Sequence, residues 1–363
     1  MKPHNTLKST TLAFAALLAL PAAAFQYEVI NIGTLPGSDF SLINAINNNG
    51  TIVGTAFAGS ESRGWQWNQQ NGMNEVYGFG YDRTTAVDIN DQGFIIGSFT
   101  EDSTTKGFRY KNGAWWHLSP IPGQSESSPS GINNLNQVVG ISDFASDARA
   151  TGWLPILPDT PGFALPSYGN QVESSARALN DLGESVGSAR LAGSQRATIF
   201  RNNNTLFDLH GLLPLGTTFS LAHDNNESGW VVGQFTNATD AYGFVFNLEL
   251  GMVTVGEAND QTSLVAINEN GQAVGSNGLA DAVLWHSSTG RQSLNDLIDP
   301  NSGWNLTSAR DINDNGWIIG QGSFNGVNTT YLARPTESVP EPASMSIIAL
   351  GIGALAVRTR RKK

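Results

Sequence analysis

Seven stretches of this chain share one pattern, and that pattern constrains the fold more than any other feature. They are AINNNGTIVG (45–54), DINDQGFIIG (88–97), GINNLNQVVG (131–140), ALNDLGESVG (178–187), DNNESGWVVG (224–233), AINENGQAVG (266–275) and DINDNGWIIG (311–320). Each places an asparagine seven residues before a glycine. The asparagines are Asn47, Asn90, Asn133, Asn180, Asn226, Asn268 and Asn313, spaced 43, 43, 47, 46, 42 and 45 residues apart. Self-similarity at so steady a period marks a repeat fold, whose units stack and bury a core between neighbours.

The physics of one unit is readable. An Ile or Leu usually precedes the asparagine and ends a strand. Asn-x-x-Gly is turn chemistry: the asparagine side chain bonds the backbone two residues on, and glycine accepts positive φ. Asn136 takes the glycine's place in the third copy, and asparagine is the next best residue there. An apolar pair then starts a second strand, and its closing glycine suggests a bulge or a close approach. A second motif supplies a third strand: GWQW (64–67), GFRY (107–110), GWLP (152–155), ATIF (197–200), GFVF (243–246), AVLW (282–285) and a degenerate TYLA (330–333). Segments such as WWHL (115–118) and TLFDL (205–209) supply a fourth. Four short antiparallel strands per unit make one propeller blade. The prediction is an all-β, seven-bladed β-propeller. The seventh copy stops after its third strand, and the segment FQYEVINIG near the start has the character of a fourth. Residues 26–32 are therefore expected to complete the last blade and close the ring. An open β-solenoid is the alternative; its units are usually shorter, and it leaves the split repeat unexplained.

The two ends have their own logic. Lys2 and Lys8, then TLAFAALLALPAAAF, have the layout of a secretory signal peptide over residues 1–24, cut between Ala24 and Phe25. The last segment, 339–363, holds Pro340-Glu341-Pro342, a 15-residue apolar stretch and five terminal basic residues. That stretch is short of the roughly 20 residues of a full span. The three parts in this order resemble a PEP-CTERM sorting signal, which implies an exosortase-type processing partner and a membrane contact only through the tag, before processing. The body between, residues 25–338, carries 13 basic and 30 acidic residues. A body so acidic repels nucleic acid. With no cysteine in the chain, disulfides and zinc–thiolate sites are excluded. The repeats themselves, AINNNGTIVG with a following GWQW or GFVF, and INIGTLPG near the start, resemble the HAF repeat of extracellular proteins. Asn225 in place of the usual Ile, and the polar ESVG of the fourth copy, depart from that pattern.

DINDNGWIIG also reads as the start of a calcium loop, with alternate oxygen-bearing residues before a glycine. The repeat argues against it. Two residues before the asparagine stand Ala45, Asp88, Gly131, Ala178, Asp224, Ala266 and Asp311, so three of seven copies have the acid. The twelfth loop position, which needs a bidentate glutamate, is Gly322 counted from Asp311 and Phe99 counted from Asp88. Asp88, Asp224 and Asp311 are kept as the candidate metal residues, with capping of backbone as the preferred role. No H-E-x-x-H, G-x-S-x-G or phosphate loop is present, and the five histidines share no metal spacing. Trp65, Trp67, Trp153 and Trp285 fall in the third-strand motif and are expected in the core. Trp115, Trp116, Trp230, Trp304 and Trp317 lie near turns, where packing competes with stacking on sugar rings.

The expectation is a secreted, non-enzymatic propeller without a catalytic residue or cofactor, at the surface or in the matrix of a Gram-negative-type bacterium. Its role would be structural or adhesive, with exopolysaccharide or a cell-surface protein as partner. A glycan lyase or hydrolase with a site assembled in the ring centre, and a calcium-dependent adhesin, are the alternatives.

Overall fold

The computed structural model describes residues 26–76, 83–143, 148–155, 161–170 and 173–336. The expected signal peptide with its Ala24–Phe25 cleavage site, and the tag with Pro340, Glu341 and Pro342, lie outside the described residues. Seven four-stranded antiparallel sheets follow one another along the chain. In six blades the four strands are consecutive, from the innermost outward. The seventh joins Trp304–Ile312, Ile318–Phe324 and Val327–Pro335 with the N-terminal strand Tyr27–Asn31. Tyr27 pairs with Pro335 and Asn31 with Tyr331, so the first strand of the propeller closes the ring on its last. Ile32 continues that ladder by donating its N–H to the Thr330 carbonyl. The predicted seven-bladed propeller and its closing strand are thus both present. Among the described residues no helix is long and apolar enough to cross a membrane.

The turn chemistry holds in every blade. Gly50, Gly93, Gly183, Gly229, Gly271 and Gly316 have positive φ, and Asn136 takes the same conformation at 62°. The closing glycine of each repeat has a different cause. In every innermost strand the pairing register slips by one residue, at Asn44, Val87, Ser130, Arg177, His223, Val265 and Arg310. A bulge of this kind bends the strand and pushes its carbonyl toward the partner. A Cβ on Gly97 would lie 1.9 Å from the Thr85 carbonyl oxygen, and one on Gly320 would lie 2.0 Å from that of Ser308. The glycine in the second strand is the space the bulge needs.

The third strand then covers that glycine. Trp65 pairs opposite Gly54, Phe108 opposite Gly97, Phe244 opposite Gly233 and Tyr331 opposite Gly320. All four rings are fully buried. Core residues from adjacent blades meet in one cluster: Trp65 and Ile43 pack with Ile319 and Leu332 of the last blade, and with Ile32 and Leu35. Trp153 and Trp285 are buried as expected, and Trp67 is partly so. The five tryptophans near turns are packed too. Trp115 lies tilted against Phe108, Trp230 meets Trp285, and Trp304 meets Phe324 and Tyr331. Trp116 lies against Phe94, and the Arg334 guanidinium lies over Trp317.

Candidate functional site in the central channel

The seven asparagines meet around the axis. Each Nδ2 donates to the backbone carbonyl of the next blade's asparagine, from Asn47 to Asn90 and on through Asn313, which returns to Asn47. The seven donor–acceptor distances span 2.8–3.1 Å, and the side chains are 3–5% exposed. Each Oδ1 meanwhile accepts from the N–H four residues on, as Trp230 donates to Asn226 and Trp317 to Asn313. One amide therefore fixes its own turn and ties it to the next blade. The turn role is readable in the chain; the ring is not, because it joins residues one repeat apart.

A second ring lies one residue further on. The N–H of Asn48 donates to the Asp91 carboxylate, Asp91 to Asn134, Asn134 to Asp181 and Asp181 to Glu227. Glu227 donates to Glu269, Glu269 to Asp314, and Asp314 back to Asn48. This crown puts five carboxylates around one end of the channel.

Below the asparagines, the three candidate aspartates stand at one level. Asp88, Asp224 and Asp311 each accept with Oδ1 from the following N–H, at 2.7–2.8 Å. Each Oδ2 accepts from the next blade, from Ile132, Ile267 and Ile46, at 2.8–2.9 Å. Three aspartates thus cap six of the seven backbone N–H groups in that layer, leaving that of Leu179. This accounts for three acids among seven copies: one carboxylate serves two blades. Among the described residues no three His, Asp or Glu side chains converge to hold a metal ion.

These carboxylates line the channel and are half-buried in it. Burial raises Asp88 to about 6 and Asp224 to about 7, and holds Asp311 well above its usual range. Their mutual repulsion adds to the shift of Asp224 and Asp311. The folded state then binds more protons than the unfolded one above about pH 4, so this layer weakens the fold as pH rises toward 7. His223, pushed down to about 4 by burial and by Arg177 and Arg310, acts in the opposite sense. A difference experiment separates the two. The triple variant D88N/D224N/D311N is expected to melt lower than wild type by an amount that shrinks between pH 4.5 and 7.5. A gap that stays constant across that range would rule out titration of this layer.

The bulge residues open onto the same channel. Arg177, His223 and Arg310 share a cavity of about 210 Å³ with Asn44, Ser130 and the three aspartates. Nothing in the sequence signals this grouping, since a bulge position carries no motif.

The segment 338–362 matches the model of the PEP-CTERM protein-sorting motif. The chain carries an exosortase sorting signal. The propeller is accordingly a sorted, secreted protein. No curated protein matches it in sequence. Among solved structures it resembles a streptogramin B lyase at 11% identity, over 86% of this chain and 99% of the other, with a TM-score of 0.54. A catalytically inactive variant of virginiamycin B lyase from Staphylococcus aureus, with quinupristin, is similar at 10% identity, over 86% and 100% of the two chains, with a TM-score of 0.54. YCF48 bound to D1 peptide is similar at 12% identity, over 87% and 97%, also at 0.54. Identity this low shows the fold alone.

Proposed function

We propose that this chain is a non-enzymatic binding or structural propeller of the bacterial surface or extracellular matrix, of the HAF-repeat type, with exopolysaccharide as its partner. The observation that carries the reading is the commitment of the axial carboxylates. Asp88, Asp224 and Asp311 each hold two backbone N–H groups, one per oxygen, so each side chain is fixed in place as a cap between two blades. His223, at about 4, is a weak base at neutral pH. Asp88 at about 6 and Asp224 at about 7 lie near a neutral working pH, but acid–base catalysis also needs a group that can turn to the substrate, and these are tied to backbone on both oxygens. A sorting signal joined to such a body fits a protein displayed outside the cell.

Two measurements test this. Deleting residues 339–363 is expected to move the protein away from the compartment in which the full chain accumulates; an unchanged distribution would end the sorting part. Mixed with polysaccharide from the producing cells, the chain is expected to co-sediment with the polymer and leave its length unchanged. Shortened polymer would show an enzyme instead.

A further inference from the structure

Two arginines in the channel have no partner among the described residues. Arg177 and Arg310 form no ion pair and no side-chain hydrogen bond there, although three aspartates line the same cavity. Those aspartates are held by backbone N–H groups at their own layer. Burial, and then the charge of Arg310, lower the Arg177 guanidinium, and both arginine charges act on His223. His223 Nε2 is buried and has no hydrogen-bond partner. All three are bulge residues, in blades four, five and seven, so their placement is built into the strand geometry.

We propose that Arg177, His223 and Arg310 form a receptor for a small carboxylate monoanion, of the size of a single uronic acid. Forked guanidinium donors match a carboxylate in shape and charge. The cavity of about 210 Å³ holds roughly seven waters, near the bulk of one sugar ring. Asn44 and Ser130 supply neutral polar groups for hydroxyls. A doubly charged phosphate fits less well, because Asp88, Asp224 and Asp311 line the same cavity. The five crown carboxylates repel anions at their end, so the ligand enters from the other end of the channel. The site rests on the reading of the propeller as a binding module and deepens it by naming an anionic sugar as the ligand.

The test uses the purified secreted chain with sodium glucuronate, glucose, inorganic phosphate and chloride. Glucuronate at one hundred times its Kd is expected to raise Tm by roughly 5 °C. Glucose should leave Tm unchanged, and phosphate and chloride should bind more weakly than glucuronate. The His223 ring signal should titrate at higher pH once glucuronate is bound. R177A/R310A is expected to lose affinity by about tenfold or more. It should fold, because neither arginine holds a neighbour; R177K/R310K keeps the charge without the fork and should fall between the two. The proposal is overturned by no response to glucuronate, by equal binding to R177A/R310A, or by phosphate or chloride binding as tightly. Co-sedimentation with the polymer alongside any of these results would leave the binding-module reading standing and remove this receptor alone.

Discussion

Removal of residues 26–36 from the secreted chain is expected to abolish the cooperative thermal transition. The segment contributes the fourth strand of the last blade, in register from Tyr27 with Pro335 to Asn31 with Tyr331. Tyr27, Ile32 and Leu35 are 5%, 8% and 5% exposed, and each buries its side chain between blades. Burying a side chain of this size stabilises by about 1.5–3 kcal/mol, so the three together contribute on the order of 5–9 kcal/mol. That approaches the whole stability of a typical fold, about 5–15 kcal/mol. The loss also bares Val327–Pro335 as an edge, a template for pairing with another chain. The truncated protein should self-associate, and a peptide of residues 26–36 added in trans should restore a transition. A truncated chain that melts as a monomer at the wild-type temperature would show that the ring does not depend on this strand.

Asn268→Ala is expected to destabilise the fold by about 3 kcal/mol. Its Nδ2 donates to the Asn313 carbonyl and to Gln272, and its Oδ1 accepts from the N–H groups of Asn270 and Gln272. Alanine removes these four hydrogen bonds, at about 0.5–1.5 kcal/mol each, leaving the Gln272 N–H without its acceptor and the Asn313 carbonyl with the Gly316 N–H alone. Asn268→Asp separates the two duties of the residue. Aspartate keeps the acceptor for the turn but turns a carboxylate oxygen toward the Asn313 carbonyl. If the ring matters, denaturant titration at neutral pH will find the aspartate variant at least as unstable as alanine. If the turn alone matters, aspartate will be tolerated.

Much of this architecture was legible in the chain. Asn-x-x-Gly followed by an apolar pair specifies strand, turn and strand wherever it occurs, because both the amide and positive φ act within five residues. Asn136, in the glycine's place, shows how local that rule is: its conformation is predicted from residue type and the backbone adopts it. The split last repeat likewise foretold the closing strand. The aspartates were legible only in part. Asp88, Asp224 and Asp311 were visible as candidates, with capping preferred to metal binding, yet the capped N–H groups of Ile132, Ile267 and Ile46 lie one blade away. Arg177, His223 and Arg310 were not legible as a group at all, since each occupies a bulge that pairing creates and no neighbouring residue announces.

The repeat, the turn, the blade count, the ring closure and the C-terminal sorting signal all follow from the order of residues, because each rests on interactions between near neighbours, on a period or on a local motif. What surrounds the axis depends instead on closure of the ring. Bringing seven blades together puts residues some forty positions apart within hydrogen-bond range, and the first and last repeats as well. There the asparagine and carboxylate rings and the shared aspartate caps find their partners, and the two channel arginines are left without one among the described residues.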